Sequence, residues 1–149
     1  MKLRNLKSGV EYATIRTENQ KEEDAKRIND LSKIEKKIIK YSEDLTAGMQ
    51  AISSVRILLE IYRPNYVDLT LVDLPGIYYG DERMTGLIKR VYTDYISNPQ
   101  SIILYVTASN NDLNTGEALA MARKVDPDGI RTLMIATKID MRDKMSFAK

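Results

Sequence analysis

Hydrophobic and polar positions alternate with two different rhythms along this chain. Met1 to Leu6 sets Met, Leu and Leu against Lys, Arg and Asn, the pattern of a half-exposed strand. Ser8-Gly9 supplies a turn, and Tyr12 to Arg16 is a second strand with Tyr12, Thr14 and Arg16 on one face, so Met1 to Arg16 is predicted as a hairpin. Thr17 and Gln20 have the spacing of a capping box. Beyond Glu22, the three-to-four-residue recurrence of Ala25, Ile28, Leu31, Ile34, Ile38, Tyr41 and Leu45 predicts one long amphipathic helix that fades near Gly48. Lys26, Asn29, Lys33, Lys36, Lys37 and Lys40 form its opposite, solvated side. Val55 to Tyr62 is a strand with Val55, Ile57, Leu59 and Ile61 on one face. Arg63-Pro64-Asn65 turns the chain into a further strand, Leu69 to Asp73, and so short a turn predicts an antiparallel pair.

The second half reads differently. Met84, Leu87, Ile88, Val91, Tyr95 and Ile96 mark a helix that ends before Pro99. Ser101 to Thr107 is a nearly continuous apolar strand, as expected when both sheet faces are covered. Thr115 to Val125 is a helix, with Ala118, Leu119 and Ala122 inward. Asp126-Pro127-Asp128-Gly129 is a turn, and Arg131 to Thr137 holds another apolar strand. Strand, helix, strand, helix, strand is the order of a parallel α/β sheet.

Composition narrows the chemistry. At 149 residues and 43% apolar content, the chain is expected to be one domain, or part of one, with a single core. Net charge is +2, and no basic run is interleaved with aromatics, so nucleic acid is not the expected partner. Without cysteine or histidine there are no disulfides, thiolate or histidine metal sites, or Ser-His-Asp and Cys-His catalysis. No apolar run approaches the length of a membrane span, and the start lacks a signal-peptide block, so a cytoplasmic location is expected.

Two motifs carry functional information. Leu69-Thr70-Leu71-Val72-Asp73 ends a strand in a carboxylate, and Leu74-Pro75-Gly76 turns the chain sharply. Asp73 can face a magnesium ion through water and Gly76 a terminal phosphate, although the same letters also suit an ordinary strand-to-loop turn. Thr137-Lys138-Ile139-Asp140 follows the last strand in the same way. A carboxylate such as Asp140 accepts two hydrogen bonds from guanine, which adenine cannot supply, and the stem of Lys138 can lie along a base. Open α/β sheets place ligands at strand carboxyl ends, which is where both motifs stand.

These motifs resemble those of the dynamin superfamily GTPase domain, including plant dynamin-related and Mx-like proteins. Leu69 to Ile77 is similar to the third guanine-nucleotide motif, and Thr137-Lys138-Ile139-Asp140 to the fourth. Ser101-Ile102-Ile103-Leu104, Asn111-Asp112-Leu113 and Val125 to Thr132 match as well. The resemblance implies a partial dynamin-type GTPase domain over residues 1–149, α/β with a mixed, mostly parallel sheet flanked by helices. It implies GTP or GDP as ligand, with Mg²⁺, bound through Asp73, Gly76, Thr137, Lys138 and Asp140. It also implies that Asp112 contacts a second GTPase domain across a dimer, and that the family acts in membrane remodelling.

Departures from the family pattern are equally informative. No Gly-x-x-x-x-Gly-Lys-Ser/Thr phosphate loop is present, because no two glycines stand five positions apart. The first switch is expected to precede Met1 and the fifth motif to follow Lys149; the loop after Gly76 is shorter than usual. Without the strand that carries the phosphate loop, Leu69–Asp73 and Ser101–Thr107 are expected to separate and leave unpaired edges, making the isolated chain poorly stable or aggregation-prone. Hydrolysis by this chain alone is not expected. The alternatives are a non-catalytic module that pairs with an intact family GTPase, or a truncated product without function. Membrane or cytoskeletal contact belongs to regions of the family absent from this sequence.

Overall fold

A computed structural model of the chain describes residues 1–46, 53, 55–77, 80–110 and 116–141. It comprises two compact units, Met1–Pro75 and Gly76–Lys149.

The first unit is built on alternation. Strand β1 spans Lys2–Leu6, β2 Tyr12–Thr17, β3 Lys26–Ile28, β4 Ile57–Pro64 and β5 Leu69–Thr70, while helix α1 spans Ile34–Thr46. Alternate residues Ala13 and Ile15 of β2 stand opposite Ile61 and Leu59 of β4, and Ala13 also stands opposite Ile28 of β3. These positions share one face, because side chains two apart on a strand point the same way. That face, with Tyr41, forms the core; Leu31, Ile34, Ile38, Ile57 and Ile61 pack against it. Fully burying a side chain such as Ile15 contributes about 2 kcal/mol.

Sheet order is β3-β2-β4-β1-β5, which corrects the expected mostly parallel sheet. Among the described residues of this sheet, only β1 and β4 pair in parallel; the β1–β5, β2–β3 and β2–β4 pairings are antiparallel. Parallel neighbours need long crossovers, and β1, β2 and β3 follow one another with no α-helix between them. The predicted hairpin is also corrected, since β4 lies between β1 and β2. Likewise β1 lies between β4 and β5, so the predicted antiparallel pair does not form. In both cases the chain reverses as expected but skips a place. A skipped strand asks for about 10 Å, and links of four or five residues span that distance.

The long helix is corrected too. Gln20 does reach back, its Oε1 accepting from the Thr17 N–H at 2.8 Å, but the bond closes a turn and no α-helix starts there. Glu22–Asp24 is a single 3-10 turn, and Ile28 lies in β3. The helical run begins only where Asp30 caps the 3-10 turn Leu31–Lys33, accepting from the Ser32 N–H at 3.2 Å, and leads into α1. On the opposite face of the sheet, Tyr12 stacks on Tyr62 with ring centres 4.6 Å apart, and the Arg27 guanidinium lies 3.7 Å from the Tyr12 ring.

In the second unit, α2 is Glu82–Ile96, β6 Ile103–Ala108, α3 Glu117–Val125 and β7 Thr132–Thr137. Asp81 caps α2, accepting from the Arg83 and Met84 N–H groups. β6 and β7 pair in parallel, from Ile103 opposite Thr132 to Ala108 opposite Thr137, with α3 as the crossover. They form a sheet of their own, and β5 is an edge of the other sheet. Apolar character in β6 and β7 does not mean burial on both faces, however: Leu104 is 50%, Val106 56% and Leu133 57% exposed.

A guanidinium-centred clamp ties this unit together. The Arg131 guanidinium donates to the carbonyls of Ile96 at 2.8 Å, Ser101 at 3.0 Å and Val125 at 3.1 Å. It thereby joins the last turns of α2 and α3 to the approach to β6. Asp126 accepts from the Thr132 hydroxyl at 2.6 Å and from the Ile130 and Arg131 N–H groups, each at 3.1 Å. Those bonds, the Thr132 hydroxyl first, hold the Asp126 carboxyl below the usual range.

Candidate functional site

The candidate residues fall at two strand ends, one in each unit. In the first, β5 is cut short at Thr70, but pairing continues one step: Met1 N donates to the Leu71 carbonyl and Leu71 N to the Met1 carbonyl, both at 2.8 Å. Asp68 fixes the start of the strand, its Oδ1 accepting from the Asn5 N–H at 2.7 Å. Asp73 lies two residues beyond Leu71 and is exposed. Gly76 is exposed as well, and a Cβ built on it meets nothing within 4 Å. The fold itself therefore does not require glycine there.

The second strand end is the more ordered. β7 stops at Thr137, whose hydroxyl donates to the Thr107 carbonyl at 3.2 Å. Lys138 then takes φ 51°, in the left-handed region that non-glycine residues rarely occupy. A 3-10 turn, Ile139–Met141, follows and carries Asp140. Met141 N donates back to the Lys138 carbonyl at 3.0 Å and closes it. Lys138 and Asp140 are exposed. The fold thus brings Thr137, Lys138 and Asp140 together on one short turn at the carboxyl end of a parallel strand.

Ser109 was not singled out from the sequence. It lies one residue beyond β6, is only 3% exposed, and bonds to this turn from the neighbouring strand end. The one available hint is its place just after an apolar strand that runs beside β7. Asp112 lies outside the described residues.

A wide-open hollow of ≈ 390 Å³ lies along the start of α2, lined by Gly80, Glu82, Thr85, Gly86 and Lys89, and includes no candidate residue. Among the described residues no group of three His, Cys, Asp or Glu side chains could hold a metal ion by itself. No helix among them is long and apolar enough to cross a membrane.

Polar residues gathered beyond a parallel strand stand where open α/β sheets place their ligands. Comparison with known proteins makes the class specific. The model of the dynamin family matches residues 3–139, and the chain belongs to that family. It is 46% identical over 119 residues to a dynamin-1-like protein of Danio rerio, covering 76% of this chain and 17% of that protein. The dynamin-1-like protein of Bos taurus is 40% identical over 149 residues, covering 94% and 19%. Vacuolar protein sorting-associated protein 1 of Schizosaccharomyces pombe is 42% identical over 120 residues, covering 77% and 18%. The chain therefore spans less than a fifth of the length of each of these three relatives.

Proposed function

We propose that this chain supplies the base-reading and terminal-phosphate-sensing parts of a dynamin-type GTPase domain. The observation that carries the reading is the turn after β7, which presents the exposed Asp140 beyond a parallel strand, within the stretch matched to the dynamin family. Asp140 accepts the guanine ring N–H and exocyclic amine. The Lys138 stem lies along the base, and Thr137 anchors the turn through its bond to β6. Gly76 offers its N–H to the terminal phosphate. That the family match runs through both units supports assigning residues 1–149 to one GTPase domain.

Asp73 suits a magnesium ion that brings its remaining ligands as phosphate oxygens and water, since Mg²⁺ is commonly held by one or two carboxylates. Bound there, the ion would neutralise charge on the phosphates. The sequence holds no phosphate loop, and the chain alone binds guanine nucleotide without turning it over. Within a longer protein the domain serves membrane remodelling, and Asp112 contributes to pairing with a second GTPase domain.

Asp140→Asn tests the reading. The amide offers a donor where guanine has one too, and xanthine presents an acceptor in its place. The preference of the chain should move from GDP toward XDP in equilibrium binding. An unchanged preference removes Asp140 from the site.

A further inference from the structure

The turn that carries Asp140 needs something to hold it. Lys138 sits at φ 51°, a conformation that costs an L-residue energy and persists only where its surroundings impose it. Two donors meet at its carbonyl. Met141 N–H reaches it from within the turn at 3.0 Å, and the Ser109 hydroxyl from the adjacent strand end at 2.7 Å. The Ser109 N–H also donates to the Thr137 carbonyl at 2.8 Å, which continues the β6–β7 ladder one step. Ser109 is thus fastened by its backbone at the height of the turn, and its buried hydroxyl has a fixed aim.

We infer that Ser109 is a positioning residue for guanine recognition: its hydroxyl locks the Lys138 turn and so sets where the Asp140 carboxylate stands. This rests on the reading of Asp140 as the guanine contact. A two-bond contact to a base edge tolerates displacements of only about half an ångström. With the hydroxyl gone, the Lys138 carbonyl keeps, among the described residues, its bond within the turn alone, and the turn is free to swing about the end of β7.

The test compares the purified chain with Ser109→Ala and Ser109→Thr. Two readouts are taken: hydrogen exchange at the Met141 amide, with Ile88 of α2 as an internal control, and GDP-against-XDP binding. Ser109→Ala should speed Met141 exchange about 2- to 10-fold, the range expected for one lost hydrogen bond. It should leave Ile88 unchanged and lower the GDP-to-XDP preference by a similar factor. Ser109→Thr, which keeps the hydroxyl, should restore both. Unchanged Met141 exchange in Ser109→Ala overturns the inference, as does faster exchange with the guanine preference intact. A wild-type chain without any guanine preference overturns the Asp140 reading instead, and Met141 exchange then still accepts or rejects Ser109 as the anchor of the turn.

Discussion

Replacing Arg131 with Met should destabilise the second unit strongly. The change keeps most of the stem and removes only the guanidinium. Three carbonyls lose a charged donor: Ile96 at the end of α2, Val125 at the end of α3, and Ser101 ahead of β6. Charge-assisted bonds of this kind contribute about 1.5–3 kcal/mol each. The three act as one group and water can reach the freed carbonyls, so about 3 kcal/mol is expected in place of the full sum. That is a large part of the ~5–15 kcal/mol that holds an ordinary domain together. Arg131→Lys should recover only part of it, because an ammonium cannot reproduce the planar fork. Urea unfolding followed by far-ultraviolet circular dichroism measures the difference. A loss below about 1 kcal/mol, the value of one ordinary hydrogen bond, would refute the clamp.

Tyr62 should ionise late: burial, and then its hydrogen bond to the Glu60 carboxylate, push its phenol from 10.0 up to about 12. Because the folded value is the higher one, this stabilisation is complete below pH 10 and is lost as pH rises toward 12. An ultraviolet titration in which Tyr62→Phe removes a step near pH 10, and none near 12, would contradict this. Gly76→Ala meets no atom of the fold and should change stability by less than about 0.5 kcal/mol. Its Cβ, which projects into open space, should nonetheless keep the terminal phosphate from the residue-76 N–H and so weaken the preference for GTP over GDP by about tenfold, roughly one charge-assisted bond; equal preference in both proteins would exclude a phosphate contact at Gly76.

Local signals carried the second unit well. Apolar spacing in Met84 to Ile96 and the stop before Pro99 correspond to α2, and the strand–helix–strand order corresponds to the parallel β6–β7 pair. The first unit was less legible for a physical reason. Turns at Ser8-Gly9 and Arg63-Pro64-Asn65 announce reversal, not adjacency, and the long apolar strand β4 is drawn between β1 and β2. Ile28 has helical spacing relative to Leu31, yet its burial comes from pairing beside β2, a contact invisible in local periodicity. At the candidate site, Asp140 was readable because its motif is contiguous. Ser109 was not, because the carbonyl it holds lies 29 residues further on.

Guanine recognition by the turn after β7 carries the proposed function. Titrating the isotope-labelled chain with Mg·GTP and then Mg·ATP, while following backbone amide signals, tests it most directly. GTP should shift the signals of Lys138 and Asp140 at one midpoint, and ATP should leave both unmoved. Shifts of equal size with both nucleotides, or GTP shifts confined to residues away from this turn, would contradict it.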